Sequence, residues 1–239
     1  MAVYQEKARE RIKKSLRRLN SVIDKANRDK YKEADTRKIV SDVLTTLGWD
    51  KYKNITAEQM INSNYADYVV KNNEEEFFVV EVKKIGLKLK ETHLSQAKQY
   101  AFDEGIDWVV LTNGDDWEVY RCYINDKITK TQLVIRFSIS DTNLKPAKKT
   151  ELLYLLSEEA FRKKELDAYY QRFVALNGAN LLDYMLSDEV LNKIRISINK
   201  RNKQRFNNYE VADALVHKVV DKTLLTDDTL KRLAKIKKG

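Results

Sequence analysis

The chain has 239 residues, 43% apolar and 34% charged, with a formal net charge of +9. That length allows one full domain and a smaller one, with enough apolar residues to fill a core. No run approaches the ~20 consecutive apolar residues that span a bilayer, and the N-terminus lacks a signal peptide's apolar region. A single cysteine, Cys122, excludes an intramolecular disulfide and a cysteine-cluster zinc site, which makes a reducing cytoplasm the expected compartment.

Residues 1–30 read as a basic amphipathic helix, because Ile12, Leu16, Leu19, Ile23 and Ala26 repeat at 4-3-4-3 spacing. That spacing suits a partner helix better than a membrane surface. Residues 1–38 hold 13 Lys or Arg against 6 Asp or Glu, so positive charge is concentrated there. A second amphipathic helix is expected over 35–47, ended by Gly48, and a short strand over 53–57.

Two strand-like runs follow, Tyr65 to Val70 and 77 to 83, with turn chemistry at Asn72-Asn73-Glu74-Glu75. A hairpin is the natural reading. On the second strand, alternation places Phe78, Val80 and Val82 on one face and Phe77, Val79, Glu81 and Lys83 on the other. An apolar strand thus ends with two opposite charges pointing the same way. Alone, that pattern equally suits an ion pair at the exposed end of an edge strand. Asp67 on the preceding run joins them only if the connection is odd in length or the hairpin carries a bulge; an even connection without one sends Asp67 to the opposite face.

An acid, then an acid and a lysine two residues apart, resembles the PD-(D/E)XK nuclease superfamily, with Asp67, Glu81 and Lys83 in the positions of its Asp, Glu and Lys and Ala66 where its proline stands. Glu33-Ala34-Asp35-Thr36-Arg37, Leu47-Gly48-Trp49-Asp50 and Ala66-Asp67-Tyr68 are similar to the nuclease domain at the N-terminus of type I restriction-enzyme R subunits. Gln96 and Tyr100 match that branch's Gln-x-x-x-Tyr motif. The resemblance covers about residues 30 to 140. It implies a restriction-endonuclease-like α/β fold, a mixed sheet flanked by helices, and Mg²⁺-dependent hydrolysis of DNA to 5′-phosphate and 3′-hydroxyl ends. Asp67 and Glu81 would be metal ligands with the Val82 backbone carbonyl, Mn²⁺ serving as a substitute ion, while Gln96 and Tyr100 would position substrate and lysine. Oxygen donors suit such a hard cation. Lys83 would orient or deprotonate the attacking water or stabilise charge on the phosphorane. Glu33 reads as a solvated residue near a helix start, although some superfamily members use an acid from that helix.

Positions 96 and 100 share a helix face, with Thr92 as the expected N-cap and Gly105 the expected stop. Trp108 to Thr112, a turn at Asn113-Gly114, Trp117 to Ile124 and Leu133 to Ile139 are β-rich and complete a core over residues 31–142. The only proline, Pro146, lies among lysines between Asn143 and Thr150, and a linker is expected there. Residues 151–239 then read as an all-helical subdomain: Leu152, Leu153 and Leu156, Leu166 to Phe173, Leu181 to Ile198, and Val211 to Val220 follow helical spacing. A short last helix is expected from Thr226 or Asp227.

Lys193, Arg195, Lys200, Arg201, Lys203 and Arg205 have no acid among them and form a candidate nucleic-acid-binding patch. Lys231, Arg232, Lys235, Lys237 and Lys238 form another basic group. For the helical tail, shielding of the sheet and dimerisation rank ahead of DNA contact, since cutting both strands of a duplex usually takes two active sites. No G-x-x-x-x-G-K loop is present, so no ATP-driven motor is expected in this chain, which reads as either a stand-alone relative of the R subunits or an excised fragment, with Met1 and the helical tail favouring the first. His93 and His217 are too few and too far apart for a zinc site or histidine-led triad. The expected activity is therefore a Mg²⁺-dependent deoxyribonuclease. The rivals are a non-catalytic DNA-binding or adaptor protein that keeps the fold, and a helical interaction protein whose strand motif is accidental.

Overall fold

The computed structural model describes residues 3–61, 64–72, 75–125, 128–225 and 227–237, without the side chains of 58–61, 64, 65 and 125. The chain divides into two compact units, Met1–Asp167 and Ala168–Gly239. The first unit holds the six described strands and is mixed α/β, as the sequence patterns predict.

Helix α1, Val3–Arg28, buries the predicted stripe of Ile12, Leu16, Leu19, Ile23 and Ala26, together with Ala8. It lies against α4, Pro146–Tyr154, with α2, Glu33–Thr46, and α5, Glu158–Arg162, beside it. Bidentate pairs pin it: Arg9 holds both oxygens of Glu151 at 2.7 and 2.9 Å, and Arg11 holds both of Glu159 at 2.9 Å. The amphipathic helix therefore spends its apolar face inside the first unit. Part of the basic charge read from this segment is neutralised there by acids more than a hundred residues away in sequence.

α2 ends at Thr46, and Gly48 follows at φ +100°, a left-handed conformation that favours glycine. A Cβ there would lie 2.8 Å from the Arg11 guanidinium. Trp49, fully buried, then donates its indole N–H to the Leu156 carbonyl at 2.9 Å.

The sheet runs in sequence order, β1 (Ile55–Ile61), β2 (Asn64–Asn72), β3 (Glu75–Val82), β4 (Trp108–Thr112), β5 (Asp116–Asn125) and β6 (Ile128–Ser138). All neighbours are antiparallel except β3 and β4, whose parallel pairing requires a crossover. A 3₁₀ turn, Glu91–Leu94, and α3, Ser95–Asp103, supply it. Thr92 falls inside that turn and does not cap α3; Gly105, at φ +69°, does end it. Strand β1 extends beyond the expected 53–57, and β6 begins earlier than Leu133.

The expected linker over 143–150 is instead the start of α4. Pro146 occupies its first turn, where a proline's fixed φ is already helical and its missing N–H costs nothing. Lys149 is buried and donates to the Ile139 carbonyl. Leu152 and Leu153 fall in α4, as their helical spacing suggests, and residues 151–167 are grouped with the sheet in the first unit.

The second unit contains the rest of α6 (Glu165–Ala175), α7 (Gly178–Met185), α8 (Asp188–Asn202), α9 (Asn208–Ala214), a π turn over Leu215–Val219 and α10 (Asp227–Ile236). Leu182, Leu186, Leu191, Val211, Ala212, Val216 and Leu233 form its core. Asn177, Ser187 and Asn207 each cap the following helix through a side-chain oxygen, which satisfies amide donors that lack an intrahelical partner. No described helix is long and apolar enough to cross a membrane.

Candidate active site

Strand register decides whether the three charged residues can meet. Asn72 pairs with Glu75 and Lys71 with Glu76, but Val70 pairs with Phe78 and Tyr68 with Val80. One residue is therefore extra on β3 between Glu76 and Phe78, and that residue is Phe77. Without the bulge, the pairing at Asn72 would carry Asp67 opposite Val80. With it, the register continues to Asp67 opposite Glu81, on the same face. The expected turn chemistry at Asn73 and Glu74 lies outside the described residues.

The bulge also corrects the reading of Phe77. Its ring centroid is 5.7 Å from Trp49 and 5.6 Å from Phe161, alongside Phe78 at 5.7 and 4.9 Å from the same two rings. Phe77 thus joins the α2 face, where a bulged strand sends consecutive side chains to one side. Val79 instead packs with Ala97 and Tyr100 of α3, and Glu81 and Lys83 continue that face.

Glu33 and Arg37 of α2, Ala66 and Asp67 of β2, Glu81 and Lys83 at the end of β3, and Gln96 of α3 line one cleft of about 440 Å³. Asp67 accepts the Val82 N–H through Oδ2 at 2.7 Å and faces Arg37 Nε through Oδ1 at 3.1 Å. Lys83 Nζ lies 2.5 Å from Glu81 Oε1. In an extended strand, a residue's N–H and C=O point to the same edge. The Val82 carbonyl therefore points to the same edge of β3 as its N–H, toward β2.

Burial raises the Asp67 pKa against the Val82 N–H and Arg37, which lower it. Burial also pushes Glu81 up from the ordinary 4.5 to about 7; the Lys83 hydrogen bond lowers it and the Asp67 charge raises it. The two acids thus form a partly desolvated pair that resists carrying two negative charges unaided. Lys83 is shifted upward too: burial opposes its charge, but the Glu81 hydrogen bond and nearby carboxylates prevail. This direction disfavours the neutral amine that a general base requires.

Two placements depart from the sequence reading. Tyr100 lies one turn beyond Gln96, but it is fully buried in the core under α3. Its hydroxyl interacts with Glu76, and burial raises its pKa. It does not line the cleft, whereas Gln96 does. Glu33, read as solvated, is part of the wall, with Oε1 3.5 Å from Arg37 Nη2. Sequence reasoning passed over Arg37 as a cleft residue; its one available signal is the i, i+4 spacing from Glu33 on the polar side of a buried helix. Among the described residues no group of three or more His, Cys, Asp or Glu side chains is gathered as a metal cage.

On the second unit, Lys200, Arg201, Lys203 and Arg205 are exposed at the end of α8 and just beyond it. Lys193 is paired with Glu189 at 2.6 Å, and Arg195 donates to Asn208 and Asn192. The six-residue patch thus presents four exposed charges at its C-terminal end and two engaged ones before it.

The six-stranded mixed sheet with its parallel crossover carries two acids and a lysine in one cleft, Asp67 within its second strand and Glu81 and Lys83 at the end of its third. Residues 33–134 match the family described as the type I restriction enzyme R protein N terminus, which bears out the resemblance over this part of the chain. Comparison with curated proteins finds no match, and neither does comparison with solved structures.

Proposed function

We propose that this protein is a divalent-metal-dependent deoxyribonuclease that hydrolyses phosphodiester bonds in its Asp67–Glu81–Lys83 cleft. The observation that carries the reading is the Phe77 bulge, which brings Asp67 onto the face of Glu81 and Lys83. The donor set fits Mg²⁺ or Mn²⁺: two carboxylates with a backbone carbonyl alongside leave room for the waters and phosphate oxygen that a hard cation takes up. Desolvation and mutual repulsion of the acids favour a compensating cation. When bound, such an ion polarises the phosphate and acidifies a coordinated water.

The protein's own groups have distinct tasks. Asp67 is held by the Val82 N–H through Oδ2, so its carboxylate is presented in a fixed direction. Glu81, anchored by Lys83, contributes the second carboxylate. The Lys83 ammonium is placed to orient the attacking water and to stabilise negative charge developing on phosphorus. Gln96, exposed on α3 at the cleft rim, is placed to hydrogen-bond the substrate. The match to a restriction-enzyme domain and the exposed bases of α8 support DNA as the polyanion.

Plasmid cleavage in Mg²⁺ tests the proposal. Lys83→Ala and Asp67→Asn should each lower the rate by at least about 10²-fold while DNA binding persists. Cleavage that survives both substitutions overturns the assignment, and binding with no metal-dependent cutting returns the adaptor reading.

A further inference from the structure

Two cationic side chains line the cleft, and the chemistry above uses only Lys83. The other, Arg37, is positioned by backbone anchors on two sides. The Tyr68 hydroxyl donates to the Arg37 carbonyl at 2.8 Å, tying α2 to β2 one residue from Asp67. The adjacent Thr36, fully buried, accepts the Ile85 N–H at 3.0 Å and donates to the Lys32 carbonyl at 3.1 Å. Those bonds tie the same turn of α2 to the segment after β3. The helix is thereby fixed with Arg37 directed at the acids.

Its contacts select one oxygen. Asp67 Oδ2 accepts the Val82 N–H, and Arg37 Nε stands 3.1 Å from the other oxygen, Oδ1, which is the one a cation and Arg37 would contest. Glu33 Oε1, 3.5 Å from Nη2, provides a second carboxylate one helical turn away. The cleft contains three acids, Glu33, Asp67 and Glu81, against two bases, so a divalent cation would reverse the sign of its charge. A guanidinium is also the side chain best suited to a phosphate's paired oxygens.

We propose that Arg37 is a built-in counter-cation. It neutralises Asp67 in the metal-free protein, yields Oδ1 to the divalent ion, and then engages a phosphate oxygen of the DNA while Glu33 keeps it at the cleft. This rests on the metal-dependent reading of the site, and the experiment separates the two.

Mn²⁺ binding to the full chain is measured by calorimetry or by the loss of the free-ion EPR signal, without DNA and then with a short duplex in a Lys83→Ala background that prevents cutting. Arg37→Gln removes the competing charge and should tighten Mn²⁺ binding without DNA by about three- to tenfold. Arg37→Lys keeps the charge and should leave that affinity near the parent value. Both substitutions should reduce the extra tightening of Mn²⁺ that DNA produces, since neither retains the guanidinium fork. A purely structural ion pair would not couple Mn²⁺ affinity to DNA in this way.

Unchanged or weaker Mn²⁺ binding by Arg37→Gln overturns the counter-cation, and an undiminished DNA effect in both variants overturns delivery to phosphate. If the parent protein does not bind Mn²⁺, or binds it equally well as Asp67→Asn, the metal-dependent reading fails and this inference with it.

Discussion

Glu81→Gln isolates the energetic consequence of placing an acid where this cleft requires one. Glu81 titrates near 7 in the folded protein against an ordinary 4.5, so the folded state binds its proton more tightly than the unfolded state. Stability from this group is therefore fully present below about pH 4.5, declines as pH rises through the interval, and reaches its floor above 7. A shift of that size corresponds to about 3 kcal/mol of stability withheld at pH 8. Lys83's attraction is already included in the shift. The amide of Gln cannot ionise, so without divalent metal the variant should exceed the parent by only about 1 kcal/mol at pH 5 and by about 3 kcal/mol at pH 8, the latter a rise in Tm of roughly 6–12 °C for a unit of this size. Urea or thermal unfolding of both proteins at the two pH values, with a chelator present, measures the difference. Mg²⁺ should then stabilise the parent above pH 7 more than it stabilises Glu81→Gln, which keeps Asp67 but loses one of the two carboxylates. An identical gap at both pH values, or a variant less stable at pH 8, refutes the argument that desolvation and Asp67 repulsion dominate this residue.

Tyr100→Phe should leave the cleavage rate within about twofold, whereas Gln96→Ala should lower it by tenfold or more, because only Gln96 lines the cleft; steady-state rates on a defined duplex distinguish them. Thr36→Val removes a hydroxyl that serves both the Ile85 N–H and the Lys32 carbonyl, and urea denaturation should show a loss of about 1–3 kcal/mol from the unsatisfied amide. Converting Lys200, Arg201, Lys203 and Arg205 together to Gln should lower the slope of log DNA affinity against log salt by about 3; an unchanged slope would remove this segment from the DNA path.

The sheet was legible wherever side-chain alternation and turn residues agreed, as from Trp108 through the Asn113–Gly114 turn into the following strand. The need for a bulge was legible too, as one of the two arrangements that could unite Asp67 with Glu81. Which residue would bulge was not, because alternation assumes an unbroken pleat and so assigned Phe77 to the wrong face. Pro146 was read as a break, whereas the same ring geometry begins a helix as readily as it ends one. Tyr100 shows a different gap: helical spacing fixes direction around an axis but not depth, and a residue one turn along can point into the core instead of the groove. Glu33 and Arg37 joined the cleft only through tertiary packing of α2, roughly thirty and fifty residues from the acids they approach, a proximity that no local pattern encodes.

The supernumerary phenylalanine has an evolutionary corollary. Between Lys71 and Val80, gaining or losing an odd number of residues inverts which acids share a surface, while paired changes preserve it. Deleting Phe77 alone would leave a well-hydrogen-bonded hairpin whose chemistry points the wrong way, so lineages that keep the cleft should vary here in even steps or trade one irregularity for another.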